Sequence, residues 1–182
     1  MLPFEGDLLK ICAIDPGTVK SGFVIYETET SLLCRHGHVS NDELSRALNL
    51  ATDIDAIVVE RFESFGRNFG ESCILTIFAI GQFDAFWRGP RYYIKRSEIK
   101  RWLTGNKRHT DRHVKAALLD RWGGVDKAVG SKKSGHCGPL YGLKTSHCWA
   151  ALAVAVYFQD EIEPHRKTPP KNAPRWRDRF EL

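Results

Sequence analysis

The sequence lacks the features that mark secreted and membrane-spanning proteins. Its five cysteines are odd in number and include no C-x-x-C pair, which argues against a disulfide framework. The N-terminal MLPFEGDLLK has no basic segment followed by an apolar one, and the longest apolar run, residues 148–158, is too short to cross a bilayer. No internal repeat is visible. We therefore expect a cytoplasmic protein that does not associate with membranes.

Size and composition are those of one globular domain. The 182 residues are enough to bury one core, and 42% hydrophobic with 27% charged residues is an ordinary globular balance. From residue 160 onward the composition turns to Pro, Arg and Lys. We predict a domain over residues 1–159 and a basic, Pro-rich, disordered tail over residues 160–182. The formal net charge of +5 favours an anionic partner, chiefly nucleic acid.

The first part of the domain is predicted to be a strand meander. Short polar joints connect three strand-like segments, which are residues 8–15, 21–27 and 31–39. Ser40 and Glu43 then form a capping box that opens a short helix.

The second part alternates strands and helices. Residues 55–60 are a fully apolar fourth strand, and RYYIK is a fifth. Helical segments are predicted at residues 73–87, 97–103, 110–122 and 146–158. The fold class predicted from this order is α/β: a mixed five-stranded sheet, three antiparallel strands then two parallel ones, with helices on both faces.

Two of the predicted parallel strands end in an acid, Asp15 and Glu60. Because the carboxyl ends of parallel strands meet at one edge of a sheet, we expect these carboxylates to be neighbours. Two carboxylates so placed repel each other, and a divalent cation would keep both ionised. Pro16 and Gly17 stop the first strand and leave Asp15 projecting. Taken singly, each acid is equally compatible with an ordinary turn or a solvated strand end.

His147 is a third candidate at the same edge. It lies in the first turn of the last helix, just after a predicted Ser146 cap, and Ala150 shares its face one turn on. A lone histidine at a helix start is most often a surface residue. The expected packing of this helix on the sheet, with its N-terminus near the acids, makes His147 a site candidate.

A basic segment is the strongest signal for nucleic acid. Residues 88–115 contain ten Lys or Arg residues against two acids, a local excess larger than the net charge of the whole chain. The aromatic residues among them, Tyr92, Tyr93 and Trp102, favour nucleic-acid binding over a merely solvated face. Aromatic residues after Glu60 could stack on bases or pack under their loop; these are Phe62, Phe65 and Phe69. The predicted DNA-binding residues are Phe62, Phe65, Arg67, Lys95, Arg96, Lys100, Arg101, Lys107, Arg108, Lys132, Lys133 and Lys144.

Four motifs in this order resemble a known family. They are AIDPGTVKSGFVIY, DAIVVERFESFGRN with FAIGQF, YYIKRSEIKRWLTGNKRHTDRHVKAALLDRWGG, and KTSHCWAALAVAV. Over residues 8–158 they are similar to RuvC-type Holliday junction resolvases, and most to the compact versions of phages and prophages. The resemblance implies an RNase H-like fold, a homodimer, and a bacterial or phage-infected cell.

The resemblance also implies Mg²⁺, with Mn²⁺ as an alternative, held by acids, and no organic cofactor. Asp15 and Glu60 match two of the family's acids, and His147 falls where members carry Asp or His. The remaining acid would stand at Ala150, which departs from the pattern. Asp111 is our candidate for a replacement catalytic and metal-binding residue, with Glu71 and Glu63 as further candidates. A first-turn acid favoured by the helix dipole is an equal interpretation of Asp111.

The leading hypothesis is a metal-dependent, structure-selective DNA endonuclease that resolves four-way junctions by paired nicking. The alternatives are a non-catalytic junction-binding protein whose site decayed at Ala150, and an RNase H-like nuclease for structured RNA. The helix predicted at residues 73–87 is apolar on several sides, which makes it the candidate homodimer interface or else a helix buried in the monomer. A zinc site at Cys34, His36 and His38 is disfavoured, because a straight strand spaces alternate residues too widely for one ion.

Overall fold

A computed structural model describes residues 9–63 and 70–165 of the chain. Three residues predicted to lie on the DNA-binding loop fall outside the described residues; they are Phe65, Arg67 and Phe69. Most of the predicted tail, residues 166–182, also lies outside them.

The structure confirms the mixed five-stranded sheet. Its strands are β1 (Lys10–Asp15), β2 (Lys20–Glu27), β3 (Leu32–Ser40), β4 (Ala56–Arg61) and β5 (Arg91–Lys95). Their order across the sheet is β3-β2-β1-β4-β5. Strands β1, β2 and β3 pair in antiparallel fashion, whereas β4 pairs in parallel with both β1 and β5. The central strands are buried on both faces, which is why β1 and β4 are almost continuously apolar.

Helices cover both faces of this sheet, as predicted. They are α1 (Asn41–Leu50), α2 (Glu71–Phe86), α3 (Arg96–Thr104), α4 (Asp111–Arg121), α5 (Val125–Ala128) and α6 (Ser146–Tyr157). One core contains α3, α4 and α6 and takes Ile11 and Ala13 from β1. The opposite core contains α1 and α2 and takes Cys12 and Ile14. The side-chain alternation of one strand thus supplies both cores.

Helix α6 packs directly on the middle of the sheet. Eight of its twelve residues are buried, so an all-round apolar sequence is what its position requires. Its N-cap is Thr145, whose hydroxyl accepts a hydrogen bond from the Cys148 amide; the predicted cap, Ser146, is one residue too late.

Two segments are more ordered than the sequence predicted. The Gly- and Lys-rich segment before α6 contains α5 and a small hairpin of β6 (Gly130–Ser131) and β7 (His136–Cys137). The first six residues of the predicted tail, 160–165, continue helically from α6. Their anchors are an ion pair of Asp160 with Arg121 at 2.6 Å and a hydrogen bond to Glu163 from Thr28. In the part of the chain that the structure describes, no helix has the length and apolarity needed to span a bilayer.

Candidate active site

Asp15 and Glu60 lie at the same edge of the sheet. Strands β1 and β4 are parallel, and their last paired residues are Ile14 and Val59, so the next residue of each strand is one of the two acids. Both carboxylates are largely buried, with 11% and 13% of their side chains exposed. The structure therefore brings together two acids that are 45 positions apart in the chain.

A buried polar network shapes the turn that follows Asp15. The Ser21 hydroxyl accepts a hydrogen bond from the Gly17 amide and donates one to Asn41 Oδ1 at 2.7 Å. The Asn41 side-chain amide donates in turn to the Gly17 carbonyl. Ser21 and Asn41 are buried, and each polar atom in the network has a partner. Neither residue was predicted to belong to the site, because their meeting at Gly17 depends on the β2–β3–α1 packing.

His147 joins the acids from helix α6. Its Nδ1 lies 2.7 Å from Asp15 Oδ2, and this hydrogen bond is the main reason that the pKa of His147 is raised. The imidazole ring stacks on His38 of β3 with centroids 4.7 Å apart. Burial, followed by the neighbouring His147, lowers the pKa of His38.

Gly22 allows this helix to come so close. It pairs with Asp15 across β1 and β2, and a Cβ at this position would lie 2.6 Å from His147 Cβ and closer still to the His147 backbone. Any larger residue would push the start of α6 away from the acids. A glycine inside a strand-like segment often indicates such a close approach, but Gly22 was not singled out from the sequence.

Arg96 is the central cation of the cluster. One of its terminal nitrogens donates to both oxygens of Glu60, at 2.8 and 2.7 Å, and lies 3.7 Å from Asp15 Oδ1. The other terminal nitrogen donates to Asp111 Oδ1 at 2.7 Å. Arg96 was predicted to be one of the DNA-contacting residues; the structure places its guanidinium among the acids.

The electrostatics of the acids follow from burial and from Arg96. Burial raises the pKa of Glu60 to about 7, because Arg96 offsets only part of the cost of a buried charge and Asp15 adds to it. Burial also acts to raise the pKa of Asp111, but Arg96 and Lys100 outweigh it and the net shift is downward. Lys100 Nζ lies 3.2 Å from the same Asp111 oxygen.

The side chains of this cluster are of the chemical types that bind a hard divalent cation, but their present arrangement does not form a binding site. Carboxylates and an imidazole are appropriate ligands. However, the described ranges contain no group of three or more His, Cys, Asp or Glu side chains that could hold a metal ion. A divalent cation was one expected means of keeping both acids ionised; in the structure the positive charge beside both acids belongs to Arg96.

The other predicted ligands have different surroundings. Glu63 accepts hydrogen bonds from the Ser97 amide and hydroxyl at 2.9 and 2.8 Å, so it fixes the first turn of α3. Glu71 is exposed at the start of α2. Ala150, where the family resemblance implies an acid, lines a cleft together with Glu60 and Asp111.

This cleft, of about 340 Å³, lies between α3, α4 and α6. Its apolar lining includes Ile99, Val114 and Trp149. Its basic lining residues are Arg96, Lys100, Arg112, Lys115 and Lys144. Arg112 and Lys115 were not singled out from the basic segment; Lys115 Nζ lies 4.7 Å from the ring centroid of Trp149, a cation–π contact.

The remaining predicted DNA-binding residues differ in their surroundings. Lys95 forms an ion pair with Glu98 at 3.5 Å. Phe62 lines a second cleft together with Arg96, Pro16 and Thr76. The exposed members of the predicted set are Arg101, Lys107, Arg108, Lys132, Lys133 and Lys144.

Comparison with known proteins identifies the fold. No protein-family model matches the sequence, and no curated protein matches it. The Thermus thermophilus RuvC structure matches with a TM-score of 0.57 and 16% identity over 81% of this chain and 92% of that one. T. thermophilus RuvC in complex with Holliday junction substrate matches with a TM-score of 0.59 and 16% identity over 89% and 99% of the two chains. The yeast mitochondrial Holliday junction resolvase Ydc2 matches with a TM-score of 0.46 and 11% identity over 87% and 85%. The chain has the RNase H-like fold of the T. thermophilus RuvC structures.

Proposed function

We propose that this protein is a metal-dependent, structure-selective DNA endonuclease that resolves Holliday junctions and related branched DNA by paired nicking. The observation that carries this proposal is the meeting of two buried acids, Asp15 and Glu60, at the edge of a basic cleft. A buried pair of acids is costly to keep ionised, and a divalent cation shared with a DNA phosphate would stabilise it.

Asp15 and Glu60 would hold Mg²⁺ or Mn²⁺, with His147 and Asp111 as further ligands. When bound, such a cation supplies an activated water and stabilises charge on the phosphate oxygens. Asp15 orients the imidazole of His147 through Nδ1, which leaves Nε2 facing away from this hydrogen bond. His147 would either bind the cation or, since Asp15 raises its pKa, accept the proton of the attacking water.

The basic cleft is the proposed path of the DNA backbone. Its lining residues include Lys100, Lys144, Trp149 and Ile99. This combination of cations with apolar side chains suits a sugar-phosphate strand. Phe62, which lines the second cleft together with Arg96, would meet bases near the junction centre.

Helix α2 is the proposed homodimer interface. It leaves an apolar surface exposed to solvent, which consists of Ile74, Leu75, Ile77, Phe78 and Phe86. A four-way junction offers two scissile strands related by a two-fold axis, and a C2 dimer would present one acid pair to each strand.

Cleavage of a synthetic four-way junction tests the proposal. We expect paired nicks with Mg²⁺ or Mn²⁺, none after chelation, and loss of cleavage by at least about a hundredfold in Glu60→Gln. Glu161→Gln, at an exposed position in the helical extension of α6, is the matched control and should cleave normally. If the wild-type protein binds the junction tightly but cleaves it with neither metal, the proposed nuclease activity is refuted.

One observation favours the alternative of a non-catalytic junction-binding protein. No metal-binding group of three side chains exists in the described ranges, and Arg96 already neutralises the acids. That alternative requires wild type and Asp15→Asn to bind junctions equally and to be equally inactive with every divalent cation.

A further inference from the structure

Every carboxylate oxygen of the acid pair already has a partner within the protein. Both oxygens of Glu60 accept hydrogen bonds from Arg96, and Asp15 Oδ1 lies 3.7 Å from the same nitrogen. The fourth oxygen, Asp15 Oδ2, is bound to His147. A divalent cation at these acids would share their oxygens with the Arg96 guanidinium, and two positive groups on the same oxygens repel each other.

Arg96 is held in this position by its own helix. It is the first residue of α3, and the next residue, Ser97, is fixed by two hydrogen bonds to Glu63. The Arg96 backbone is thus anchored. Its side chain is 31% exposed, so it has room to rotate toward the solvent. A change in the position of the guanidinium requires side-chain rotation only.

A second acid, Asp111, offers the Arg96 side chain another partner. Asp111 Oδ1 accepts a hydrogen bond from the outer nitrogen of Arg96 and is itself 59% exposed at the start of α4. It also lies 3.2 Å from Lys100, which lines the basic cleft. Asp111 would therefore remain a partner for Arg96 at the wall of this cleft if the guanidinium turned away from Asp15 and Glu60.

Arg96 also contributes to the walls of two clefts. The basic cleft and the cleft of Phe62, Pro16 and Thr76 are both lined by Glu60 and Arg96.

The geometry points to Arg96 as an internal counter-ion that closes the acid pair and must be displaced by the divalent cation. This inference rests on the proposed function. Displacement delivers the guanidinium to the side of the cleft beside Asp111, where a DNA phosphate is its natural partner. One residue would thus couple metal loading to DNA binding: the cation releases Arg96, and a phosphate that binds the released Arg96 favours the loaded site.

Mn²⁺ binding in the absence of DNA tests this inference. The free-Mn²⁺ signal in electron paramagnetic resonance gives the dissociation constant directly, and titrations at several pH values separate competition by protons from competition by Arg96. We expect Arg96→Met to bind Mn²⁺ about tenfold more tightly than wild type, because the competing cation is gone. Arg46→Met, at an exposed arginine of α1, is the control and should bind Mn²⁺ as wild type does.

Arg96→Lys covers the case in which Arg96→Met does not fold. A single ammonium cannot serve Glu60 and Asp111 at once, so we expect Mn²⁺ binding about threefold tighter than wild type. If wild type binds Mn²⁺ and the folded Arg96 variants bind it no more tightly than wild type, the counter-ion inference alone is overturned. No Mn²⁺ binding by any of these proteins would overturn the metal-dependent function as well.

Discussion

His147 Nδ1 lies 2.7 Å from Asp15 Oδ2, so the end of the first strand and the start of the last long helix share one hydrogen bond. This contact joins β1 to α6 across 132 positions of sequence. It also raises the pKa of the His147 imidazole at the edge of the sheet.

The first prediction concerns the pH dependence of this contact. The Asp15 hydrogen bond raises the pKa of His147, so its stabilising effect is fully present below the ordinary histidine pKa and is lost as the pH rises through the raised value. Asp15→Asn should move the His147 pKa down toward the ordinary value. NMR titration of the imidazole, in the presence of chelator, measures the shift. An unchanged His147 pKa in Asp15→Asn would contradict the prediction.

A second prediction tests the close approach at Gly22. Gly22→Ala places a Cβ against the His147 backbone, so we expect a loss of about 1–3 kcal/mol in the free energy of unfolding and slower junction cleavage. The control is Gly81→Ala in α2, where an added Cβ meets nothing within 4 Å and the helix should gain up to about 1 kcal/mol. Urea unfolding compares the two. Equal stability of both variants would show that α6 adjusts without cost.

A third prediction concerns the network under the Asp15 turn. Ser21→Ala removes a hydroxyl that bridges the Gly17 amide and Asn41, and the unfolding free energy should fall by about 1–3 kcal/mol. Ser45 is the matched control, because its buried hydroxyl has no hydrogen-bond partner within the described ranges. Ser45→Ala should be neutral or slightly stabilising. If calorimetry finds Ser45→Ala less stable than Ser21→Ala, the stabilising role of the Ser21 hydrogen bonds is refuted.

A fourth prediction tests the proposed dimer. Phe78 is 66% exposed on α2, so Phe78→Lys should shift the protein from dimer to monomer and reduce paired nicking to single nicks. Val125→Lys, at a residue 58% exposed on α5, is the control and should leave the molecular mass of the dimer in solution unchanged. Sedimentation equilibrium measures both. A wild-type protein that is monomeric at all concentrations would exclude this interface.

A fifth prediction uses the position of Ala150. Because Ala150 lines the cleft beside Glu60, Ala150→Asp should strengthen Mg²⁺ binding by about tenfold and raise the preference for Mg²⁺ over Mn²⁺. Ala150→Asn has the same shape without the charge and serves as the control. Isothermal titration calorimetry that finds no difference between the two variants would show that this position does not contribute to a metal site.

Much of the fold could be predicted from local pattern. The apolar runs ending at Asp15 and Glu60 predicted two buried neighbouring strands, and Ser40 predicted the start of α1, where its hydroxyl accepts from the Glu43 amide. Boundaries were less accurate, as at Thr145, because a cap depends on side-chain geometry that neighbouring Ser and Thr residues can both supply.

The site could be predicted only in part. The meeting of Asp15, Glu60 and His147 at one edge of the sheet could be predicted, because strand order and helix position determine where backbone ends meet. Ser21, Asn41 and Gly22 were missed, since each acts through a contact with a residue distant in sequence. Arg96 was assigned to a basic surface because a local charge count carries no information on which neighbours a side chain meets.

The sequence by itself determined the order of strands and helices, the basic segment, and the two acids that end β1 and β4. These are consequences of hydrophobic periodicity and of chain order, which act locally. Only the tertiary structure decided that Arg96 stands between Asp15, Glu60 and Asp111, and that His147 bonds to Asp15. Such contacts arise when elements far apart in the chain pack together, because burial then forces each charge to find a partner in space.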